Sequence, residues 1–303
     1  MTSGGRVAIV TGGASGIGRA LGAALVARGD TVVLADVDVE GATSAADGMR
    51  GPGTATAAAL DVRDGPAVER LVHYTADAHG RLDLMVNNAG LGIGGPVDEL
   101  TAAHWDRVVD VNLRGVIHGV HAAYPVMVRQ RRGHIVNTAS MAGLVPGPGL
   151  TPYATTKWGV VGLSLSLRAE AARHGVRVTV VCPAGVDTPI LDKGPPADLP
   201  RIPSDDTVDA RKMITIMSGG KLYDADALAA DVLRGIDRNK ALVVRPRYAG
   251  LLWRLTRLSP AGMTRLAALT ASRATHSRVA LLAMASNATH ERRRRVVRSR
   301  PRR

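Results

Sequence analysis

The chain has 303 residues, 46% of them hydrophobic, with a single cysteine and a formal charge of +13. That length and apolar content suit one large globular core or two small ones, and one cysteine excludes an internal disulfide or a CxxC metal or redox pair, so a reducing cytoplasm is the expected setting. Residues 241–303 hold 15 arginines against one acid, Glu291, which exceeds the whole net charge, so a nearly neutral body is expected to carry a strongly basic tail.

The polar opening MTSGGR does not read as a signal peptide, and no run approaches the ~18 apolar residues that span a bilayer. VAIV (7–10) reads as the first strand and runs into TGGASGIG (Thr11–Gly18), followed by a helix over 16–28. Glycines there allow a tight turn and bring a pyrophosphate close to backbone N–H groups at a helix N-terminus, where the helix dipole favours negative charge. The spacing, G-x-x-x-G-x-G, differs from the commoner G-x-G-x-x-G. The second strand, TVVLA (31–35), ends at Asp36, eighteen residues past Gly18. A carboxylate there would bind the ribose hydroxyls and repel a 2′-phosphate, and no Arg or Lys stands at 13–15 or 37–39, so NAD is expected in preference to NADP.

Helix 40–49, strand 55–60, helix 66–79, strand 82–87, helix 101–130, strand 134–138, helix 153–173 and strand 176–182 follow. A proline-rich stretch over 189–222 interrupts the alternation and is expected to form a lid or substrate loop beside the ligand. Helix 224–238 and strand 241–244 complete the body. Strict β/α alternation with continuously apolar strands predicts a doubly wound, parallel sheet of about seven strands with helices on both faces. The ligand is then expected beyond the carboxyl ends of the strands.

These positions hold a set of motifs. After TGGASGIG come LDV (60–62), NNAG (87–90), VNLRG around Asn112, NTASMAG around Ser140, TPYATTKWG with Tyr153 and Lys157, and VCPAGVDTPI (181–190). Tyr153 and Lys157 alone are a weak pair, but the order and spacing of the whole set resemble those of the short-chain dehydrogenase/reductase family. The match covers residues 6 to about 244 and implies one Rossmann domain, 1–245, with a basic extension over 246–303. By this resemblance Gly12, Ser15, Gly16, Ile17, Gly18, Asp36, Asp61, Val62, Asn87, Asn88, Ala89, Gly90, Pro183, Val186 and Thr188 bind the cofactor, together with Tyr153 and Lys157. Asn112, Ser140, Tyr153 and Lys157 form the catalytic set. Ala184 stands where the family usually has glycine, and Gly185 is expected to preserve the turn.

Residues four apart share a helix face, so Tyr153 and Lys157 are expected to point into one cleft. A free tyrosine is a poor base at neutral pH; a nearby ammonium and a positive nicotinamide would lower its pKa. Tyr153 would then act as general acid/base, and Ser140 would bond the substrate oxygen. Lys157 would hold the nicotinamide ribose and Asn112 a water linking Lys157 to solvent, as the resemblance implies. The uncharged loops 90–97 and 141–150, with Ile190, Leu191, Met213, Ile214, Ile216 and Met217 in the lid, predict a pocket for a lipophilic alcohol or ketone of steroid, terpenoid or fatty type.

No metal site is expected. His118 and His121 share a helix face but lack an acid or cysteine at suitable spacing, and Cys182 lies in an apolar strand and reads as inert core. The resemblance implies a homodimer or homotetramer joined through the helices at 101–130 and 153–173. In the extension, leucines at helical spacing predict two helices broken near Pro260, and residues 291–303 are too charged to pack and are expected to be disordered. The tail could pack on the body or on another subunit, or it could touch the anionic inner face of a membrane; no specific nucleic-acid recognition is expected. A competing class is a non-catalytic NAD-binding sensor or scaffold docked through that tail.

Overall fold

A computed structural model of the protein describes residues 5–204 and 209–269. The first half alternates β1 (Val7–Thr11), α1 (Gly16–Val26), β2 (Thr31–Asp36), α2 (Val39–Gly48), β3 (Thr54–Ala59), α3 (Gly65–His79) and β4 (Leu84–Asn87). The second half continues with α4 (Ala102–Val109), α5 (Gly115–Gln130), β5 (Gly133–Thr138), α6 (Thr151–Ala171), β6 (Val176–Pro183), α7 (Ala210–Met217), α8 (Ala225–Asp237), β7 (Leu242–Arg245) and α9 (Arg247–Leu258). The strands form one parallel sheet in the order β3-β2-β1-β4-β5-β6-β7. This is the doubly wound Rossmann arrangement that the alternation predicts.

Side chains alternate across a strand, so β1 feeds two cores. Val7 and Ile9 join Val72, Val116, Val120, Val160 and Leu167 beneath α3, α5 and α6. Ala8 and Val10 join Leu21, Leu25, Leu228 and Val232 beneath α1 and α8. Both faces are covered, which is why the strands are continuously apolar. Helix starts are set locally by Asp38, Asp64 and Asp224, whose side chains accept N–H groups of Gly41, Ala67 and Ala227.

Three features depart from the sequence pattern. The single helix expected over 101–130 is interrupted by a π-helical turn at Asp110–Arg114 between α4 and α5. The lid is not wholly irregular, since α7 forms within it. Residues 246–254 also belong with the body rather than with the extension, because Ala249 is fully buried and Leu252 and Trp253 pack against the first core. The chain divides into compact units at Met1–Arg254 and Leu255–Arg303. The second unit is described over 255–269, with a helical stretch at 260–269 after the break at Ser259. The expected disorder of 291–303 concerns residues outside those described.

Candidate active site

The sheet reverses its winding between β1 and β4, so the loops leaving these neighbours diverge and open a crevice. Gly12 turns the chain at φ +68° and donates its N–H to the Ala35 carbonyl at 2.8 Å. A Cβ on Gly18 would stand 2.0 Å from the Gly12 carbonyl oxygen, so only glycine lets α1 start this close to the loop. Ser15, the α1 N-cap, makes no capping hydrogen bond, and the first turn holds no acid. A helix N-terminus left open in this way fits a diphosphate. Ile17 packs its side chain against the second core.

Asp36 ends β2 and is tied to this loop, accepting the Ala14 N–H at 3.0 Å and the Asp38 N–H at 3.1 Å. Thr11 Oγ1 accepts the N–H groups of Asn88 at 2.9 Å and Ala89 at 3.1 Å, while the Asn88 amide donates to the Thr11 carbonyl at 3.1 Å. The Thr138 hydroxyl donates to Asn88 Oδ1 at 3.3 Å, joining the ends of β1, β4 and β5.

Two of the residues expected to touch cofactor direct their side chains into the protein instead. Asn87 is 2% exposed and donates to Asn137, which donates to Ser164 on α6. Val62 sits in the first core under Gly115, where a Cβ would come within 2.7 Å of Val62 Cγ2. Any cofactor contact by these two would fall to the backbone. Asp61 is bridged by Arg63 at 2.6 Å, and that guanidinium holds its carboxyl below the usual range.

Beyond β6, Pro183 and Val186 are buried and Thr188 lies against the glycine loop, its Cγ2 3.1 Å from where a Cβ on Gly16 would be. Ala184 is tolerated in place of glycine because its φ is not positive and its N–H reaches the Arg245 carbonyl at 2.8 Å. Gly185 is the tighter position, since a Cβ would meet Ser218 Oγ at 2.5 Å and Ile214 Cγ2 at 2.7 Å, and those side chains would have to move.

The four proposed catalytic residues converge. Ser140 lies just past β5 in extended conformation, φ −167°, and its hydroxyl accepts the Ala142 N–H at 3.1 Å. Tyr153 stands in the first turn of α6, where Ser140 is close enough to influence its hydroxyl. Lys157 is 3% exposed, donates to the Thr138 carbonyl at 3.0 Å, and sits 5.5 Å from the Tyr153 ring centre. Asn112, in the π turn, clasps the Leu91 backbone with both amide atoms, donating to its carbonyl and accepting its N–H at 2.9 Å each. Gly90 is where these meet: a Cβ there would be 3.2 Å from Asn112 Oδ1 and 3.6 Å from Lys157 Nζ.

Electrostatics qualify the expected tuning of tyrosine. Burial raises the Tyr153 hydroxyl above its ordinary value, and the Ser140 hydrogen bond pulls only partly the other way. The Lys157 ammonium is aimed at a carbonyl rather than at the phenol, and burial pushes it down to about 8. The lysine by itself therefore does not lower Tyr153. Burial also pushes the Cys182 thiol up to about 12, as suits inert core. His118 bonds the Val62 carbonyl, and among the described residues no cluster of three His, Cys, Asp or Glu is placed to hold a metal.

Several contributing residues escape the motif reading. Gly143 has no Cβ to meet the Lys157 carbonyl oxygen 2.5 Å away, which lets the Ser140 turn lie directly on α6. Arg211 on α7 reaches Asp187, Asp192 and the Thr188 carbonyl, clamping the lid to the segment after β6. His104 is fully buried; its Nδ1 accepts the Thr101 N–H, so Nε2 donates to the Pro200 carbonyl and ties α4 to the lid. The mouth is also less open than its apolar loops suggest. Ile93 packs with Val108 and Ile202, and Met141 and Leu144 enter the first core. Ile190, Met213, Ile216 and Met217 of the lid remain exposed.

Comparison with known proteins agrees with this fold. A family profile described as short chain dehydrogenase matches residues 6–197. A (2S)-[(R)-hydroxy(phenyl)methyl]succinyl-CoA dehydrogenase subunit of Thauera aromatica is 39% identical over 78% of this chain and 92% of its own length. Levodione reductase of Leifsonia aquatica is 39% identical over 62% of this chain and 72% of its own. Among solved structures, a Burkholderia phymatum short chain dehydrogenase/reductase in complex with NAD superposes with TM-score 0.76 at 32% identity, covering 85% of this chain and 94% of that one. A Sphingobium yanoikuyae short-chain dehydrogenase in complex with NADPH gives TM-score 0.70 at 26% identity, over 86% of this chain and 95% of that one.

Proposed function

The chain belongs to the short chain dehydrogenase family of NAD(P)-binding oxidoreductases, and from that premise we propose that it interconverts a lipophilic alcohol and its ketone or aldehyde with NAD(H). The observation that carries this reading is the convergence of Ser140, Tyr153 and Lys157 at the carboxyl edge of the sheet, beside an open helix N-terminus framed by Gly12, Gly16 and Gly18.

When bound, the nicotinamide accepts or donates the hydride. The chain's own residues do the rest. Gly12–Gly18 receive the diphosphate, and Asp36 takes the ribose hydroxyls of NAD and repels the extra phosphate of NADP. Val186 and Thr188 would hold the nicotinamide amide. Tyr153 Oη takes the proton of an alcohol on oxidation and returns it on reduction, with Ser140 Oγ bonding the same oxygen. Lys157, anchored on Thr138, presents its remaining N–H groups to the nicotinamide ribose.

The absence of charge from loops 90–97 and 141–150 and the exposed apolar side chains of α7 support a lipophilic substrate. Self-association through α5 and α6 is supported by exposed Ile117, Trp158 and Leu165. Among the described residues no helix is long and apolar enough to cross a membrane; peripheral contact through the basic extension, at the inner face of a membrane, belongs to the same proposal.

The test is absorbance of NADH and NADPH against a panel of lipophilic alcohols and ketones, with Tyr153→Phe as control. Turnover with NAD(H) that the substitution reduces by about 10²-fold or more, with NAD binding retained, is the expected outcome. Equal turnover in Tyr153→Phe would defeat the assignment. NAD binding without turnover of any compound would favour a sensor.

A further inference from the structure

We propose that Asp231 is a positioning residue for the nicotinamide end of the cofactor site, acting through Tyr223 and Arg245. The proposal rests on the reading of Pro183–Thr188 as the segment that holds the nicotinamide amide.

That segment leaves the sheet after β6 and has little regular structure to hold it. Arg211 clamps its far end at Asp187 and Thr188, and two further residues anchor its backbone nearer the sheet. Arg245, at the end of β7, pairs with Pro183 in register and accepts the Ala184 N–H at 2.8 Å. Tyr223 donates its N–H to the Gly185 carbonyl and accepts the Asp187 N–H, both at 2.9 Å, forming an isolated parallel bridge with Val186. A bridge of one residue pair, outside any strand, lacks neighbouring ladder bonds to keep it closed.

The side chains of the same two residues meet at one carboxylate. Tyr223 Oη donates to Asp231 Oδ2 at 2.7 Å, and Arg245 Nε donates to the same oxygen at 2.7 Å. Arg234 Nη2 completes the set on Oδ1 at 2.5 Å. Asp231 is 7% exposed and rides on α8, which is bedded in the second core through Leu228, Val232 and Leu233. A buried carboxylate is costly unless its oxygens are satisfied, and three donors satisfy it here. Such a group is weak evidence for stability in itself and better suited to fixing one geometry. The geometry fixed is the distance between the two backbone anchors of 183–188, referred to a rigid helix. None of the motifs that mark this fold includes Asp231, Tyr223 or Arg245.

The test uses the full chain and two variants, Tyr223→Phe, which removes one oxygen, and Asp231→Asn, which keeps the volume. Each is titrated calorimetrically with NAD and with ADP-ribose, which lacks only the nicotinamide, and KM for NAD and kcat are measured. Both variants are expected to weaken NAD about three- to tenfold, the effect of one or two lost hydrogen bonds, and to leave ADP-ribose unchanged. KM for NAD rises more than kcat falls. Equal weakening of both ligands would make the cluster merely structural and overturn the proposal, as would unchanged NAD affinity in Tyr223→Phe. If Asp231→Asn does not fold, Tyr223→Phe alone decides. Wild-type protein that binds NAD no more tightly than ADP-ribose removes the underlying reading of 183–188, an outcome seen without any variant.

Discussion

At the residue scale the site depends on two buried groups whose effects can be measured. Lys157 loses its proton near pH 8 in the folded protein against an ordinary value of 10.5. Between those values the unfolded chain binds a proton that the native state has released, so folding stability rises with pH across that window; below about 8 the burial penalty is constant. Lys157→Met removes the titration. Melting temperatures of wild type and variant, measured from pH 7 to 10, should show the wild type gaining on the variant as pH rises; a gap independent of pH contradicts the buried ammonium. Gly143→Ala should place a methyl 2.5 Å from the Lys157 carbonyl oxygen and push the Ser140 turn off α6. The expected loss is about 1–3 kcal/mol of stability with a larger proportional loss of kcat, read by thermal denaturation and turnover together. Tyr153 and Lys157 were legible in the sequence because the whole set of motifs singles them out and helical spacing then places them on one face. Gly143 and Thr138 were not, because one acts by lacking an atom and the other through its carbonyl, and neither leaves a side-chain signature. Asn87 and Val62 show the converse: they stand at and just past the ends of β4 and β3, while their side chains turn into the body.

At the element scale the alternation of strands and helices was readable because the inner strands are buried on both faces and every crossover needs a helix. The π turn at Asp110–Arg114 was hidden, since one extra residue in a turn changes the apolar period too little to detect. Its result is to present Asn112 to the Leu91 backbone. The lid helix α7 was hidden too, because it is only eight residues long and lies in a stretch whose prolines and glycines read as irregular. What holds α7 is Arg211, whose partners Asp187 and Asp192 lie 24 and 19 residues away in sequence. Arg211→Ala should loosen the lid without touching the core. Trypsin cleavage after Lys212 and Lys221 is then expected to quicken while the melting temperature holds; unchanged cleavage would show that the lid stays down without the clamp.

At the scale of the whole molecule, charge and architecture separate. The catalytic body, Met1–Arg254, is a compact unit, and most of the positive charge lies beyond it. A chain ending at Arg254 is expected to retain NAD binding, and to lose any salt-sensitive adsorption to anionic vesicles that the full chain displays; sedimentation with vesicles at low and high salt checks this. Equal adsorption by both chains would assign it to the body. The composition shift at the start of the tail was legible, but the true edge of the body was not, because Ala249 and Trp253 read like the arginine-rich sequence around them and only packing enlists them. The strand order has a further consequence, for synthesis. β1 is made before β4 yet lies beside it in the middle of the sheet, and Val7 must wait 76 residues for Asp83, whose carboxylate accepts its N–H. Until then the nascent half-sheet has an open, apolar edge along Val7–Thr11, the kind of surface that chaperones bind and that crowded ribosomes risk sharing between chains.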